Sequence, residues 1–167
     1  MEIMEPQLTP QEVVKIMVAR DRFTAWLGLK IDEVRAGYCR LHYRVKEDML
    51  NGFEQIHGGV LFSASDSAFA FACNSHGLIT VALDVSITFT KPALTGELLY
   101  VEAAEIHLGN KTGLYDIRTT NAKGELVCQF KGTAYRTSEK YHRYLNPKLS
   151  NLIVGIGIML SFCTTAI

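Results

Sequence analysis

The sequence predicts an α+β domain in which an antiparallel sheet wraps round one long central helix. Three observations predict it. Residues 56–73, IHGGVLFSASDSAFAFAC, are apolar on almost every helical face, and such a helix is stable only when covered. After Gly77 every apolar pattern has the length and spacing of strands. Ahead of the helix, YCRLHYRV alternates with period two, the mark of a half-buried strand. A sheet packed on one helix satisfies all three.

Element by element, Thr9-Pro10-Gln11-Glu12 reads as a capping box with proline at the first helical position. A helix is expected from there to about Arg20, burying Val13, Ile16, Met17 and the stem of Arg20. Residues 21–28 suggest one more short helical turn with Phe23, Trp26 and Leu27 inside. Residues 29–34 pair through Ala36-Gly37 with the alternating strand, whose Cys39, Leu41, Tyr43 and Val45 face inward. Residues 46–56 carry Asn51-Gly52 and read as a loop. The apolar helix stops at His76-Gly77, where glycine can take the left-handed cap. Four strands follow, at 80–90, 97–108, 113–120 and 126–137, parted by KPALTG, GNKT and NAKG. The expected organisation is an N-terminal helical segment (1–27), the main domain (28–138) and a C-terminal extension outside it (139–167).

Bulk composition narrows the function. Lys+Arg and Asp+Glu are both 17, and no basic cluster exceeds a pair, so nucleic acid is not an expected partner. Cys39, Cys73, Cys128 and Cys163 lie far apart with no metal-ligand spacing. The first three read as reduced core residues of a cytoplasmic protein. His42, His76, His107 and His142 share no metal spacing either, and nothing asks for a metal or a cofactor. The N-terminus, MEIMEPQLTPQEVV, is acidic and lacks the apolar run of a secretory signal. The uncharged stretch 152–167, LIVGIGIMLSFCTTAI, is shorter than the ~18–20 residues a membrane span wants. Its readings are a disordered or vestigial extension, a reading-frame remnant, or a weak membrane anchor, the last being the least expected.

The stretch NGFEQIHGGVLFSASDSAFAFACNSHG resembles the signature of hotdog-fold acyl-CoA thioesterases, most nearly the bacterial phenylacetyl-CoA thioesterases of the PaaI type. The matching features are Asn51 six residues before His57, His57-Gly58-Gly59, and Asp66 nine residues after His57. Downstream, ITFTKPALTGELLYVEAAEIHLGNKTGLYDI keeps the same order of strand, proline, glycine and strand. The resemblance implies the hotdog fold and hydrolysis of a (hydroxy)phenylacetyl-CoA or another small acyl-CoA, as in phenylacetate degradation.

A thioester needs a positively polarised place for its carbonyl oxygen. The first turn of a helix offers unpaired N–H groups and the positive dipole end. Glycines there let an acyl group come close to the backbone. Gly59, helped by Gly58, is therefore the expected oxyanion donor, although two glycines also suit tight packing of a helix start. The resemblance implies that Asp66 activates water or attacks the carbonyl itself, and the residues leave the two open. Only Ser63 and Ser67 are polar beside Asp66 at helical spacing, which argues against a solvent face. Asn51 resembles the family residue that orients the water or the thioester, although Asn-Gly is also a common turn dipeptide. His57 is expected to hold the loop rather than act as a base.

Phe62 and Phe69 are expected to line the acyl pocket, though both equally suit a core. Lys111, Thr112 and Gly113 of the GNKTG turn are candidates for contacting CoA, through a cation and backbone N–H groups. Lys91, Arg118, Lys131 and Arg136 are further candidate phosphate partners. One departure from some relatives is Ala82-Leu83, where they place a serine near the catalytic carboxylate.

Nine residues at ~100° each put His57 and Asp66 on roughly opposite sides of the helix and ~13 Å apart along it. One chain can hardly aim both at one carbonyl. Two antiparallel helices from two subunits can, which agrees with the composite sites the resemblance implies. A homodimer is expected at least, and a homotetramer built from two dimers. The competing classes are a hotdog dehydratase, whose Asp/His-Pro patterns are absent, and a non-catalytic acyl-CoA-binding protein. A DNA-linked sensor of that kind needs a basic helical pair that residues 1–27 do not supply.

Overall fold

The computed structural model describes residues 7–141. The stretch 152–167, Cys163 and His142 lie outside the described residues. Two short helices, α1 (Pro10–Val18) and α2 (Arg22–Leu27), lead into the hairpin β1 (Lys30–Arg35) and β2 (Tyr38–Arg44). A 3-10 turn at Glu47–Met49 precedes the central helix α3 (Gly58–Asn74). The strands β3 (Leu78–Phe89), β4 (Leu98–Leu108), β5 (Thr112–Asn121) and β6 (Leu126–Lys140) complete the chain. All six form one antiparallel sheet in the order β1-β2-β4-β5-β6-β3, curled round α3.

Local chemistry sets these elements where the sequence put them. Thr9 N–H donates to Glu12 Oε2 at 2.8 Å while Glu12 N–H donates to Thr9 Oγ1 at 3.3 Å, closing the capping box. On β2 the alternation is realised: Cys39, Leu41 and Tyr43 are buried against α3, with Val45 just beyond. The turn between β1 and β2 places Gly37 at φ +71°, a left-handed conformation that favours glycine. Gly77 takes φ +84° just past α3.

Three expectations are corrected. α1 buries Val13 and Val14, with Ile16 and Met17 only half-buried and Arg20 exposed. Phe23 and Trp26 of α2 are 51% and 45% exposed and stack on each other at 5.7 Å, while Thr24 and Leu27 are the buried pair. The last strand, expected to end at residue 137, runs to Lys140, and Tyr141 beyond it is buried.

Tyr141 is buried because it joins a clamp on Asn74, the last residue of α3. The Asn74 carboxamide accepts from Thr80 N–H at 2.8 Å and donates to Thr80 C=O at 2.8 Å, imitating a strand alongside β3. It donates again to Ala70 C=O at 2.9 Å and accepts from the Tyr141 hydroxyl at 2.8 Å. Two donors and two acceptors exhaust what an amide side chain offers. The end of the central helix is thereby fastened to the start of β3 and to the last described residue.

Candidate active site

The sheet does not cover α3 on every side. Gly59 is exposed, and Phe62, Ser63, Asp66, Ser67 and Ala70 are half-buried, while the residues between them from Val60 to Asn74 are buried. Their spacing of three and four makes one continuous open stripe along the helix. β3, an edge strand, carries the same incompleteness. Phe89, Ile87, Val85 and Ala82 pair with Cys128, Phe130, Gly132 and Ala134 of β6, all buried on the inner face. Yet the β3 side chains stay partly or largely open, so the inner face extends past the helix that fills it. Leu83, at a register shift in β3, is 61% exposed.

Asp66 sits in the middle of the open stripe. No hydrogen bond or ion pair holds its carboxylate among the described residues, and burial pushes its carboxyl above the usual carboxylate range. A half-buried acid without a partner keeps its lone pairs for something else. One helical turn pair further on, the Cys73 thiol is pushed up to about 12, first by burial and then by the Asp66 charge. Cys39, Cys73 and Cys128 are all unpaired and buried.

The other end of the site is the start of α3, where the fate of each N–H can be followed. His57 is the N-cap, and its Nδ1 accepts from Gly59 N–H at 2.9 Å. The N–H groups of Val60 and Leu61 go to His57 C=O at 2.9 and 3.4 Å. Gly58 N–H makes no hydrogen bond among the described residues. The amide expected to serve as oxyanion donor, Gly59, is thus engaged by a side chain, and the open amide is that of Gly58. The same bond fixes the imidazole: Nδ1 is the acceptor, so a neutral ring carries its proton on Nε2. In that form the exposed Nε2–H is a donor. The His57 backbone N–H bonds Met49 C=O at 2.8 Å, which ties the loop down.

Asn51 lies beside this turn. Its Oδ1 accepts from Phe53 N–H at 2.9 Å and Gln55 N–H at 3.4 Å, so the turn role of Asn-Gly is real. The amide Nδ2 makes no bond among the described residues. Asn51 and Gly58 line a cavity of ≈ 360 Å³ together with Gln55, Ile56, Leu61 and Phe89–Pro92. Sequence reading missed Phe89 here; its place in the alternation of VSITF looks like ordinary core.

Phe62 and Phe69 separate. Phe62 is half-buried on the open stripe and packs edge-on to Phe130 at 5.4 Å. Phe69 is 1% exposed, edge-on to Tyr115 at 5.3 Å and tight against Gly132, so it belongs to the core. Lys111, Thr112 and Gly113 lie at the far end of the domain. The β4–β5 hairpin carrying them adjoins Glu105, which binds His76 Nε2 at 2.6 Å just past the end of α3. Within one chain that is a helix length, about 25 Å, from His57. Lys111 has no ion pair among the described residues, whereas Lys91 binds Glu125 at 2.5 Å and Arg136 donates to Gly109 C=O at 2.8 Å.

No group of His, Cys, Asp or Glu among the described residues has the makings of a metal site. Nor is any described helix long and apolar enough to cross a membrane.

Comparison with known proteins points the same way as the geometry. Residues 53–128 match the family model described as "Thioesterase superfamily". The chain is 39% identical over 120 residues to the acyl-coenzyme A thioesterase PaaI of Escherichia coli, covering 72% of this chain and 86% of that one. It is 31% identical over 130 residues to human acyl-coenzyme A thioesterase 13, covering 75% and 92%. Among solved structures, E. coli PaaI superposes with a TM-score of 0.77 at 36% identity, over 78% of this chain and 95% of that one. A hypothetical thioesterase of Streptococcus pneumoniae, solved with coenzyme A, superposes at 0.65 with 28% identity, over 67% and 88%. With its sheet curled round one helix and its open His-Gly-Gly turn, this chain belongs to the thioesterase superfamily, as a hotdog-fold thioesterase of the PaaI type.

Proposed function

We propose that the protein hydrolyses a small acyl-CoA thioester, a phenylacetyl or hydroxyphenylacetyl thioester foremost, to the free acid and CoA. The observation that carries this is Asp66, a carboxylate with no partner among the described residues, on the one open stripe of an otherwise covered helix. Gly58 N–H, at the positive end of α3, receives the carbonyl oxygen as negative charge develops on it. Asp66 either draws the proton from an attacking water or attacks the carbonyl carbon itself. In the second route the C–S bond breaks, releasing CoA as a thiolate that takes a proton from solvent, to give an anhydride that water then cleaves. Asn51 Nδ2 and His57 Nε2–H are the remaining donors beside the thioester.

Gly58 and Asp66 of one chain are eight residues, about 12 Å, apart along α3. The working site is therefore between subunits: Gly58 of one and Asp66 of the partner subunit, across two antiparallel helices. The open stripe on α3 and the unguarded inner face of β3 support a homodimer formed there. The same pairing brings the hairpin carrying Lys111, Thr112 and Gly113 towards the partner's His-Gly-Gly turn, where CoA phosphates need cations. On the outer face Val81, Leu114 and Tyr135 are exposed neighbours on β3, β5 and β6, which suits a tetramer of two dimers. Buried free thiols and no described membrane-spanning helix suit the cytoplasm.

The test is thiol release from phenylacetyl-CoA, with analytical ultracentrifugation alongside. Wild type is expected to turn over. Asp66→Ala is expected to lose turnover by at least about a thousandfold while sedimenting as the same oligomer. Unchanged kcat/KM in that variant refutes the mechanism. A protein that binds a non-hydrolysable acyl-CoA but releases no thiol is a binding protein instead.

A further inference from the structure

We infer that Phe89 is a specificity-determining residue of this site, presenting an aromatic face that selects flat, compact acyl groups. The inference rests on the thioesterase reading above and adds the residue that reads the acyl group. Phe89 ends β3 and is 52% exposed, although it pairs with buried Cys128 on the inner face. Its ring lies against the start of α3: a Cβ placed on Gly58 would come within 3.1 Å of Phe89 Cζ. The missing side chain at position 58 is what lets the ring lie there. Gly58 therefore serves twice, offering its N–H and making room for the phenyl group.

Proximity to that amide gives the ring its role. The acyl chain leaves the carbonyl carbon one bond from the oxygen that Gly58 receives, which puts its first atoms within reach of the Phe89 ring. Asn51, Gln55, Leu61, Thr90, Lys91 and Pro92 line the rest of this open cavity, whose ≈ 360 Å³ is near the lower limit for ligand pockets. An aryl acyl group can stack offset or edge-on with the Phe89 ring, an arrangement a linear chain cannot copy. Aliphatic replacement keeps the apolar surface but loses the ring-to-ring geometry. The prediction is therefore a change in selectivity and not a uniform loss.

The experiment compares kcat/KM for phenylacetyl-CoA and hexanoyl-CoA in wild type, Phe89→Leu and Phe89→Tyr, each checked for folding by thermal melting. Phe89→Leu is expected to lower the phenylacetyl-to-hexanoyl ratio roughly tenfold, chiefly through KM for the aryl substrate. Phe89→Tyr keeps a flat ring and is expected to restore the ratio to within about threefold of wild type. A ratio unchanged in Phe89→Leu, with both substrates slowed alike or neither slowed, overturns the role of Phe89 and leaves the thioesterase reading standing. Wild-type protein that releases thiol from neither substrate overturns the reaction itself, and the role of Phe89 with it.

Discussion

Replacing Asp66 by Asn should make the protein more stable at pH 7 while making it inactive. The reasoning starts from the carboxylate's surroundings. It is half-buried on an apolar helix, it has no hydrogen-bond partner among the described residues, and burial raises its titration above the ordinary range. In the unfolded chain the same carboxyl titrates at its ordinary value. Above the raised folded value the acid is charged in both states, and the folded state bears the unrelieved desolvation. Below the ordinary value it is neutral in both states and the penalty vanishes. Stability is thus lost as pH rises through that window, which is the opposite sign to a salt-bridged acid. Asparagine has nearly the same shape and no charge. It keeps the smaller cost of an unpartnered neutral amide, so only the extra penalty of the charge is relieved. Half-burial with solvent on the open side keeps that part small, about 1 kcal/mol or less. The expected gain is therefore at most about 1 kcal/mol at pH 7, or about 3 °C in Tm for a chain of this size. Urea melts of both proteins at pH 7 and pH 4 measure it, with thiol release as the companion assay. A variant no more stable than wild type at pH 7, or a gain that grows in acid, would show that the carboxylate is stabilised by something and would refute the reasoning. For activity the sign is simpler: in the proposed mechanism the ionised form does the work, so turnover should fall as pH drops through the raised value.

Other outcomes follow from packing and edges. Gly132→Ala puts a Cβ 2.7 Å from the Phe69 ring tip, which Tyr115 and Phe130 keep in place; the expected cost is about 1–3 kcal/mol in a urea melt. Gly52→Ala, where nothing lies within 4 Å, is the control and should cost under about 0.5 kcal/mol. Asn74→Leu strands both backbone groups of Thr80 and should lower stability by about 3 kcal/mol in the same assay. Leu83→Lys places a charge on the open edge of β3 and should shift sedimentation from dimer to monomer with parallel loss of turnover; an unchanged dimer would locate the subunit contact elsewhere.

How much of this was legible in the sequence depends on what each residue's role requires. Cys39, Leu41, Tyr43 and Val45 announce their inward face because a strand's period is two whatever surrounds it. Thr9 and Glu12 announce a cap because its partners are three residues apart. Asp66 stood out because a charge among Phe, Ala and Leu needs a reason. Phe23 and Trp26 were misread because hydrophobicity says that a side chain prefers cover, not that cover exists. Phe69 and Phe62 could not be told apart, since which helical face stays open is decided by where the sheet ends. Gly59 was preferred to Gly58 because the sequence does not show that the His57 ring caps the Gly59 amide and leaves that of Gly58 open. The GNKTG turn offered a cation and backbone amides, but its distance from the His-Gly-Gly turn, a helix length within one chain, is set by the topology and not by its own residues.

The clamp on Asn74 has a consequence for where this domain ends. Its fourth hydrogen bond comes from Tyr141, and the backbone of Tyr141 also reaches Gly77 C=O at 3.3 Å. A cut placed after residue 138, where strand periodicity fades, would remove the hydroxyl and open the floor of the helix to water. Cleavage after residue 141 leaves the plug in place. A chain ending at residue 138 should therefore melt at lower urea than one ending at residue 141, which keeps the aromatic plug.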